Sequence, residues 1–364
     1  MLIHIMNIFT PFPLLNIKNR VVMAPMTRFA CTEDGSPKEE LSKYYMKRAE
    51  NDLGLIIVES SAINDKDAMG YLNGAQFHSK EHVLNWKPLV DKIHQQGAKV
   101  WVQLFHAGRL TVKEITNVDV LSPSAIKTFN QKSFWRREVS GEILNFQTQT
   151  KYTIPTKLSV KEIKKIINQF ANSCKLAEQT GFDGVELHGA HGYLLHQFCH
   201  SETNHRTDDY NAKDFKFIQE LVSACRNVVS SNFNISYRLS LHMVDNSYIR
   251  YSENDMDFGK LIRLLDNEGI DVFHSSEMNA GANLFGTEEA LHHIIRKNTT
   301  KPIIVCGQID NLEKAESLLN DGKVDLIAIG RSLISNPKLV SYFKNDEKYE
   351  FQEFSYEHHI DKIN

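Results

Sequence analysis

Cysteine is scarce in this chain: five in 364 residues (Cys31, Cys174, Cys199, Cys225 and Cys306), all far apart, with no CxxC pair. That spacing argues against a disulfide scaffold, a zinc ribbon and a cysteine-ligated iron–sulfur cluster. Excess charge is missing too. The formal net charge of −3 gives no reason to expect nucleic acid or an anionic membrane as the main partner. No stretch approaches the roughly 18 uncharged apolar residues of a membrane span. The N-terminus, MLIHIMNIFTPFPLL, is apolar but has no basic leader and is broken by Pro11 and Pro13. Linkers, internal repeats and low-complexity tracts are lacking as well. What remains, at 41% hydrophobic and 24% charged residues, is ordinary globular material, and a cytoplasmic enzyme is the default expectation.

Short apolar runs, each followed by a longer helical stretch, recur from end to end. They are Arg20–Pro25, Gly54–Ser60, Ala98–Phe105, Phe182–His188, Asn234–Ser240, Ile270–Ser275, Pro302–Gly307 and Val324–Gly330. Continuous Val/Ile/Leu runs, rather than alternating ones, indicate strands buried on both faces, as in a parallel sheet. Between them lie amphipathic stretches such as Ser79–Gln96 and Ser159–Thr180. In the second, Ile163, Ile166, Ile167, Phe170, Ala171 and Cys174 fall on one helix face. Ser159 with Glu162 reads as a capping box, and Gly97 and Gly181 stand where left-handed C-caps are expected. Eight strand–helix alternations predict a single (β/α)8 TIM barrel over residues 1–364, a length that α/β barrels regularly reach as one domain.

Leu110–Pro155 breaks the alternation. It is polar, with charged and aromatic residues mixed, and too long for an ordinary connection. It reads either as an elaborated surface loop after the third strand or as a lid over the barrel mouth. The tail from Lys344 is polar and aromatic and carries no strand pattern.

Barrel chemistry sits at the C-terminal ends of the strands. After the seventh comes Gly307-Gln308 and after the eighth Gly330-Arg331, a pairing suited to a phosphate; turning the chain and capping a helix is the plain alternative. The fourth strand ends in His188-Gly-Ala-His191-Gly-Tyr193. Two imidazoles can donate hydrogen bonds to one substrate oxygen while a nearby phenol delivers a proton. His188, His191, His106 and Glu59 could instead form a zinc-type set. Gln103 and Arg238 are read as closing the third and fifth strands. A buried arginine requires an anionic partner, either a bound cofactor or a carboxylate elsewhere.

Five segments in order carry a resemblance to a known family: NRVVMAPMTR (Asn19–Arg28), WKPLVDKIHQQGAKVWVQLFHAGR (Trp86–Arg109), GFDGVELHGAHGYLLHQF (Gly181–Phe198) with TNHRTDDY (Thr203–Tyr210), PIIVCGQI, and VDLIAIGRSLISNP. Together they resemble the old yellow enzyme family of FMN-dependent ene-reductases, from about Ile8 to Leu339. The resemblance implies bound FMN and a transient NAD(P)H reductant. Pro25, Met26 and Thr27 would lie along the isoalloxazine ring, with Ser60 under it and Gln103 on its pyrimidine edge. Arg238 would face N1 and the C2 oxygen, and Gly307, Gln308, Gly330 and Arg331 would hold the phosphate. His188 and His191 would bind the carbonyl or nitro oxygen of a small-molecule acceptor, which takes hydride from flavin N5 and a proton from Tyr193. Phe105 and Phe29 would shape the substrate pocket, and no metal is implied.

The chain departs from the family pattern in places. Tyr210 runs directly into Asn211-Ala-Lys-Asp-Phe without the usual glycine-rich, arginine-containing segment, and the tail lacks the arginine that some dimeric members lend to a neighbour. Oligomeric state stays open, as does the choice between NADH and NADPH. Two other functions stand beside the reductase: a metal-dependent barrel hydrolase or lyase using His188 and His191, and a flavin-binding protein without reductase activity.

Overall fold

The eight apolar runs become eight parallel strands: β1 (Val21–Met23), β2 (Leu55–Ala62), β3 (Lys99–Phe105), β4 (Gly184–His191), β5 (Asn234–Met243), β6 (Val272–Ser276), β7 (Ile303–Cys306) and β8 (Leu326–Ile329). They come from a computed structural model that describes residues 7–70, 72–111, 113–128, 135–137, 143–145, 152–245, 257–283 and 289–355. Each strand pairs with its neighbours in chain order and β1 closes on β8, so the sheet is the expected closed barrel. Val22 stands beside Leu55 on one side and Ala328 on the other.

Two apolar clusters, one on each side of the barrel wall, explain why the strands read as unbroken apolar runs. The larger packs strand residues such as Val58, Val102, Val185 and Ile235 against helix residues such as Ile163, Phe170 and Leu221. The smaller contains Val22, Leu55, Ile57, Trp101, Val272, Ile304 and Leu326, alternate residues that face the barrel interior. The same alternation sends Gln103 inward above Trp101, Glu186 and His188 above Gly184, Ser236 and Arg238 above Asn234, and His274 and Ser276 above Val272. The interior therefore changes from apolar to polar towards the C-terminal ends of the strands. Gly184 makes room for the indole: a Cβ there would lie 2.8 Å from Trp101 Nε1.

Local chemistry sets the helices where expected. In the helix Val160–Thr180 the Ser159 side chain accepts from Glu162 N, and Glu162 reaches back to the Ser159 backbone, completing the capping box. Gly181 (φ 97°) and Gly97 (φ 71°) take the left-handed conformation that lets the chain leave one helix and enter the next strand. Two strands run further than expected. β4 continues past His188 to His191, with a register shift against β5 between Gly189 and His191. β5 continues to Met243, so Arg238 lies mid-strand and does not close it, and Gln103 stands two residues short of the end of β3.

The described parts of the long segment after β3 contain a bridge of Leu121–Ser122 to Thr156–Lys157, and an antiparallel pair, Trp135–Arg137 with Ile143–Asn145. The TNHRTDDY stretch fastens the base of this segment. Arg206 Nη1 donates to Pro123 O (3.2 Å) and Leu158 O (2.6 Å), while Asn204 Nδ2 donates to Phe198 O and Tyr210 O. Much of residues 110–155, and with it the lid reading, lies outside the described residues. The tail folds back, tied by the Asn336 side chain to the Gln352 backbone at 2.9 Å in both directions. Among the described residues no helix is long and apolar enough to cross a membrane, and the five cysteines are unpaired.

Arg206→Ala should strip two buried carbonyls of their donor. A loss on the order of 3 kcal/mol is expected, measured as a lower thermal unfolding midpoint.

Candidate active site

A cavity of about 520 Å³ opens at the C-terminal ends of the strands. Seven of the residues expected to bind cofactor or substrate line it: Met26, His191, Arg238, Gly307, Gln308, Gly330 and Arg331. The loops after β1, β7 and β8 meet closely here. A Cβ at Gly330 would lie 3.3 Å from the Met26 sulfur, and one at Gly307 would lie 2.4 Å from Glu277 O, so no side chain fits at Gly307. Lys314 Nζ fixes the Gln308 carbonyl at 2.6 Å and reaches Asn279 Oδ1 at 2.8 Å.

Of the other expected residues, His188, Tyr193 and Phe105 connect to His191 through ring contacts, and Ser60 and Gln103 bond to each other. Ser60 Oγ donates a short hydrogen bond to Gln103 Oε1 across β2 and β3. The Tyr193 ring packs edge-on to His188 at 4.8 Å and to Phe105 at 5.4 Å, and the His188 and His191 rings stand 5.3 Å apart. Pro25 and Thr27 flank Met26 in the loop after β1. Phe29, two residues on, is buried with φ 55° but is not a lining residue of the cavity.

Burial sets the protonation of the histidines. It holds His188 and His191 well below the usual imidazole range, and the positive charge of Arg238 pushes both in the same direction. Both are therefore neutral near pH 7, each with one N–H. His188 Nδ1 accepts from Ala190 N at 3.3 Å, which places the His188 proton on Nε2. His191 sits at φ 62° in the irregular end of β4, an uncommon conformation for a non-glycine residue that turns its ring into the cavity. Its Nε2 lies 3.1 Å from Ser276 Oγ.

Arg238 is 6% exposed, and its Nη2 donates to Ser276 Oγ at 2.9 Å. A carboxylate is nearby, but Glu186 Oε1 is 4.0 Å from Nη1, too far for a hydrogen bond. Arg238 Nε has no hydrogen-bond partner among the described residues. A buried guanidinium with an unfilled donor edge, lining a cavity, fits an anionic or carbonyl-rich planar group.

The zinc-type set does not assemble. His106 is engaged structurally, with Nδ1 accepting from Gly108 N and Nε2 3.2 Å from Asp67. Glu59 turns to Tyr45 and the backbone of Arg28. The three-ligand cluster found among the described residues is His292, His293 and Asp321, on the outer helices.

Sequence reading missed several residues of this site. His242, Ser276, Glu277 and Cys306 line the cavity, as do Phe351, Glu353 and Phe354 of the tail. The tail carries no periodic pattern that could have announced them. Ser276, Glu186 and His274 had a signal: polar residues at alternate positions inside apolar strands.

Glu59, within β2, anchors the loop after β1 by accepting from Arg28 N at 3.2 Å. Burial pushes its carboxyl up to about 7, against the hydrogen bond from Arg28 N and the nearby guanidinium. A folded value above the unfolded one of about 4.3 means that the native state holds the extra proton between the two. This stabilising contribution is full below about pH 4.3 and is lost as pH rises through 7, roughly 4 kcal/mol in all. Glu59→Gln should flatten the fall in stability across that window, measured by chemical denaturation at a series of pH values.

Comparison with known proteins bears directly on this geometry. Residues 7–350 match the model of the NADH:flavin oxidoreductase / NADH oxidase family. An NADPH dehydrogenase of Bacillus subtilis (strain 168) is 29% identical, over 91% of this chain and 92% of its own. A putative 12-oxophytodienoate reductase 2 of Oryza sativa subsp. japonica is 31% identical, over 93% and 87%. An NADH oxidase of Thermoanaerobacter brockii is 30% identical over 92% of this chain, which spans only 50% of that protein's length. Among solved structures, morphinone reductase superimposes with a TM-score of 0.81 at 27% identity, covering 96% of this chain and 92% of that one. The old yellow enzyme homologue from Zymomonas mobilis gives 0.81 at 25% identity, covering 98% and 99%. The chain belongs to the NADH:flavin oxidoreductase / NADH oxidase family, the old yellow enzyme group of FMN-binding, NAD(P)H-oxidising flavoenzymes.

Proposed function

We propose that this enzyme reduces the activated C=C bond of α,β-unsaturated carbonyl or nitro compounds, or a quinone, at the expense of NAD(P)H. The observation that carries the reading is the convergence of two features at one barrel mouth. One is the buried Arg238 with its unfilled donor edge, and the other is the packed set His188, His191 and Tyr193.

The chemistry that FMN supplies when bound is acceptance of hydride from a nicotinamide and its delivery to an electron-poor carbon. Pro25, Met26 and Thr27 would lie along the ring, Ser60 beneath it, and Gln103 on its pyrimidine edge. Arg238 would face the N1 side, where negative charge collects on reduction. Gly307, Gln308, Gly330 and Arg331 would hold the phosphate with backbone N–H groups and one guanidinium.

His188 and His191 would orient the substrate by its oxygen and stabilise the negative charge that develops there. Two neutral imidazoles already in place need no reorganisation, and one such donor typically contributes on the order of 3–4 kcal/mol. Tyr193 would hold the proton destined for the α-carbon, a role worth roughly 10²–10⁴-fold. Phe105 keeps the Tyr193 ring in position by edge contact. We place Phe29 in the wall of the substrate pocket by its position after the Pro-Met-Thr loop.

The first test is titration of apoprotein with FMN, followed by NAD(P)H oxidation with 2-cyclohexenone as acceptor. Protein that takes up no FMN sinks the reading. Tyr193→Phe should slow reoxidation of the reduced enzyme by enone 10²–10⁴-fold while leaving reduction by NAD(P)H near the wild-type rate, measured by stopped flow. His191→Ala should weaken phenol binding about 10–100-fold, followed by the absorbance change on titration.

A further inference from the structure

We propose that Glu186, which does not line the cavity, is a positioning residue whose carboxylate fixes the Gln103 amide and tempers Arg238, holding the flavin midpoint potential low. The proposal rests on the FMN site proposed above.

Glu186 faces the barrel interior from β4, one inward position below His188, and is wholly buried. TIM-barrel interiors are normally filled by layers of branched apolar side chains, so a carboxylate here is out of place on packing grounds. Its hydrogen-bond partners come from β3, β5 and β6. Oε1 accepts from Gln103 Nε2 at 2.8 Å, and Oε2 accepts from His274 Nδ1 at 2.7 Å and Ser236 Oγ at 3.3 Å. Arg238 Nη1 stands 4.0 Å from Oε1. Register explains the assembly: Gln103 and Ser236 are the cross-strand partners of Glu186, and His274 is that of Arg238. Burial works to raise the carboxyl, but His274, Arg238 and Gln103 outweigh it and hold it below the usual carboxylate range. The group is therefore an anion at neutral pH.

Two consequences follow. First, Gln103 has its amide nitrogen committed to Glu186 and its oxygen turned to Ser60. The oxygen is then the end presented on the side where a pyrimidine N3–H would need an acceptor, and an amide flip would break the bond to Glu186. Second, a negative charge about 4 Å behind Arg238 offsets part of its attraction for an anion in front. Reduced flavin is the more negative species on the N1 side, so Glu186 disfavours it relative to the oxidised form. Arg238 supplies the attraction, and Glu186 sets how much of it the cofactor feels.

The test is the midpoint potential of FMN-loaded Glu186→Gln, an isosteric change that removes the charge. The potential should rise, by about 30 mV for each tenfold gain in the affinity of the apoprotein for reduced over oxidised FMN, measured by dye-coupled titration. Glu186→Asp, which keeps the charge, should stay closer to wild type. An unmoved or lowered potential in Glu186→Gln, or an equal rise in Glu186→Asp, overturns the proposal. Should Glu186→Gln not accumulate as folded protein, wild type labelled with ¹³C-glutamate measures the same coupling. Its reduced-minus-oxidised infrared spectrum should contain a shifted carboxylate stretch, and a spectrum without one overturns the proposal. Wild type that binds no FMN would sink the functional reading instead, so the two failures are distinct.

Discussion

A guanidinium inside a barrel is costly unless something anionic meets it, and the placement of Arg238 is the constraint on which the site depends. Below it, alternate residues of the strands fill the interior with Trp101, Ile57, Val272 and Ile304, which can hold no charge. Between that plug and Arg238 the interior becomes polar, with Gln103, Glu186 and Ser236 one inward position below it and His274 beside it. Above it, the cavity opens between the loops after β1, β7 and β8. The floor of the site is thus a charge-balanced layer resting on an apolar plug. A planar anionic group laid across it completes the environment of Arg238 from the open side.

The same charge governs the histidines. Burial alone would keep His188 and His191 neutral, and a fixed positive charge beside them makes protonation more unfavourable still. Neutral imidazoles donate without carrying charge of their own into the site. On the proposed reading they would respond to the charge that develops on a substrate oxygen, not to a charge present beforehand. The bulged end of β4 serves the same purpose by geometry. A regular strand would send residues 188 and 190 inward and 191 away. The register shift after Gly189 brings His191 to the cavity side with His188.

Most of the barrel was legible because buried parallel strands read as apolar runs, and all eight runs fall on the strands within three residues. Helix ends were legible too, since Ser159 and Gly181 act through local hydrogen bonds and backbone conformation. The extension of β4 and β5 was not, because the residues that extend them (Ala190, His191, Leu241, His242) are irregular in pattern and are held by a bulge and by Glu277. The tail contribution of Phe351 and Phe354 depends on where Asn336 ties the chain, a tertiary fact with no periodic signature. The resemblance to a family supplied roles for Gln103 and Arg238 but was silent on what holds them. Glu186 and His274 looked like interruptions in apolar strands, and only register reveals that they meet.

Ser276 joins two of the residues that line the cavity, Arg238 and His191. Its hydroxyl accepts from Arg238 Nη2, and the same oxygen lies within hydrogen-bond distance of His191 Nε2. An arginine can only donate, which leaves the hydroxyl its own hydrogen and a second lone pair for the contact with His191 Nε2. The His191 imidazole is thus linked to the Arg238 guanidinium through one oxygen atom. A change in charge in front of Arg238 alters how strongly it polarises that hydroxyl, and hence the hydrogen bond between Ser276 and His191. The polar groups are therefore coupled: Glu186 stands 4.0 Å from Arg238, and Ser276 joins Arg238 to His191.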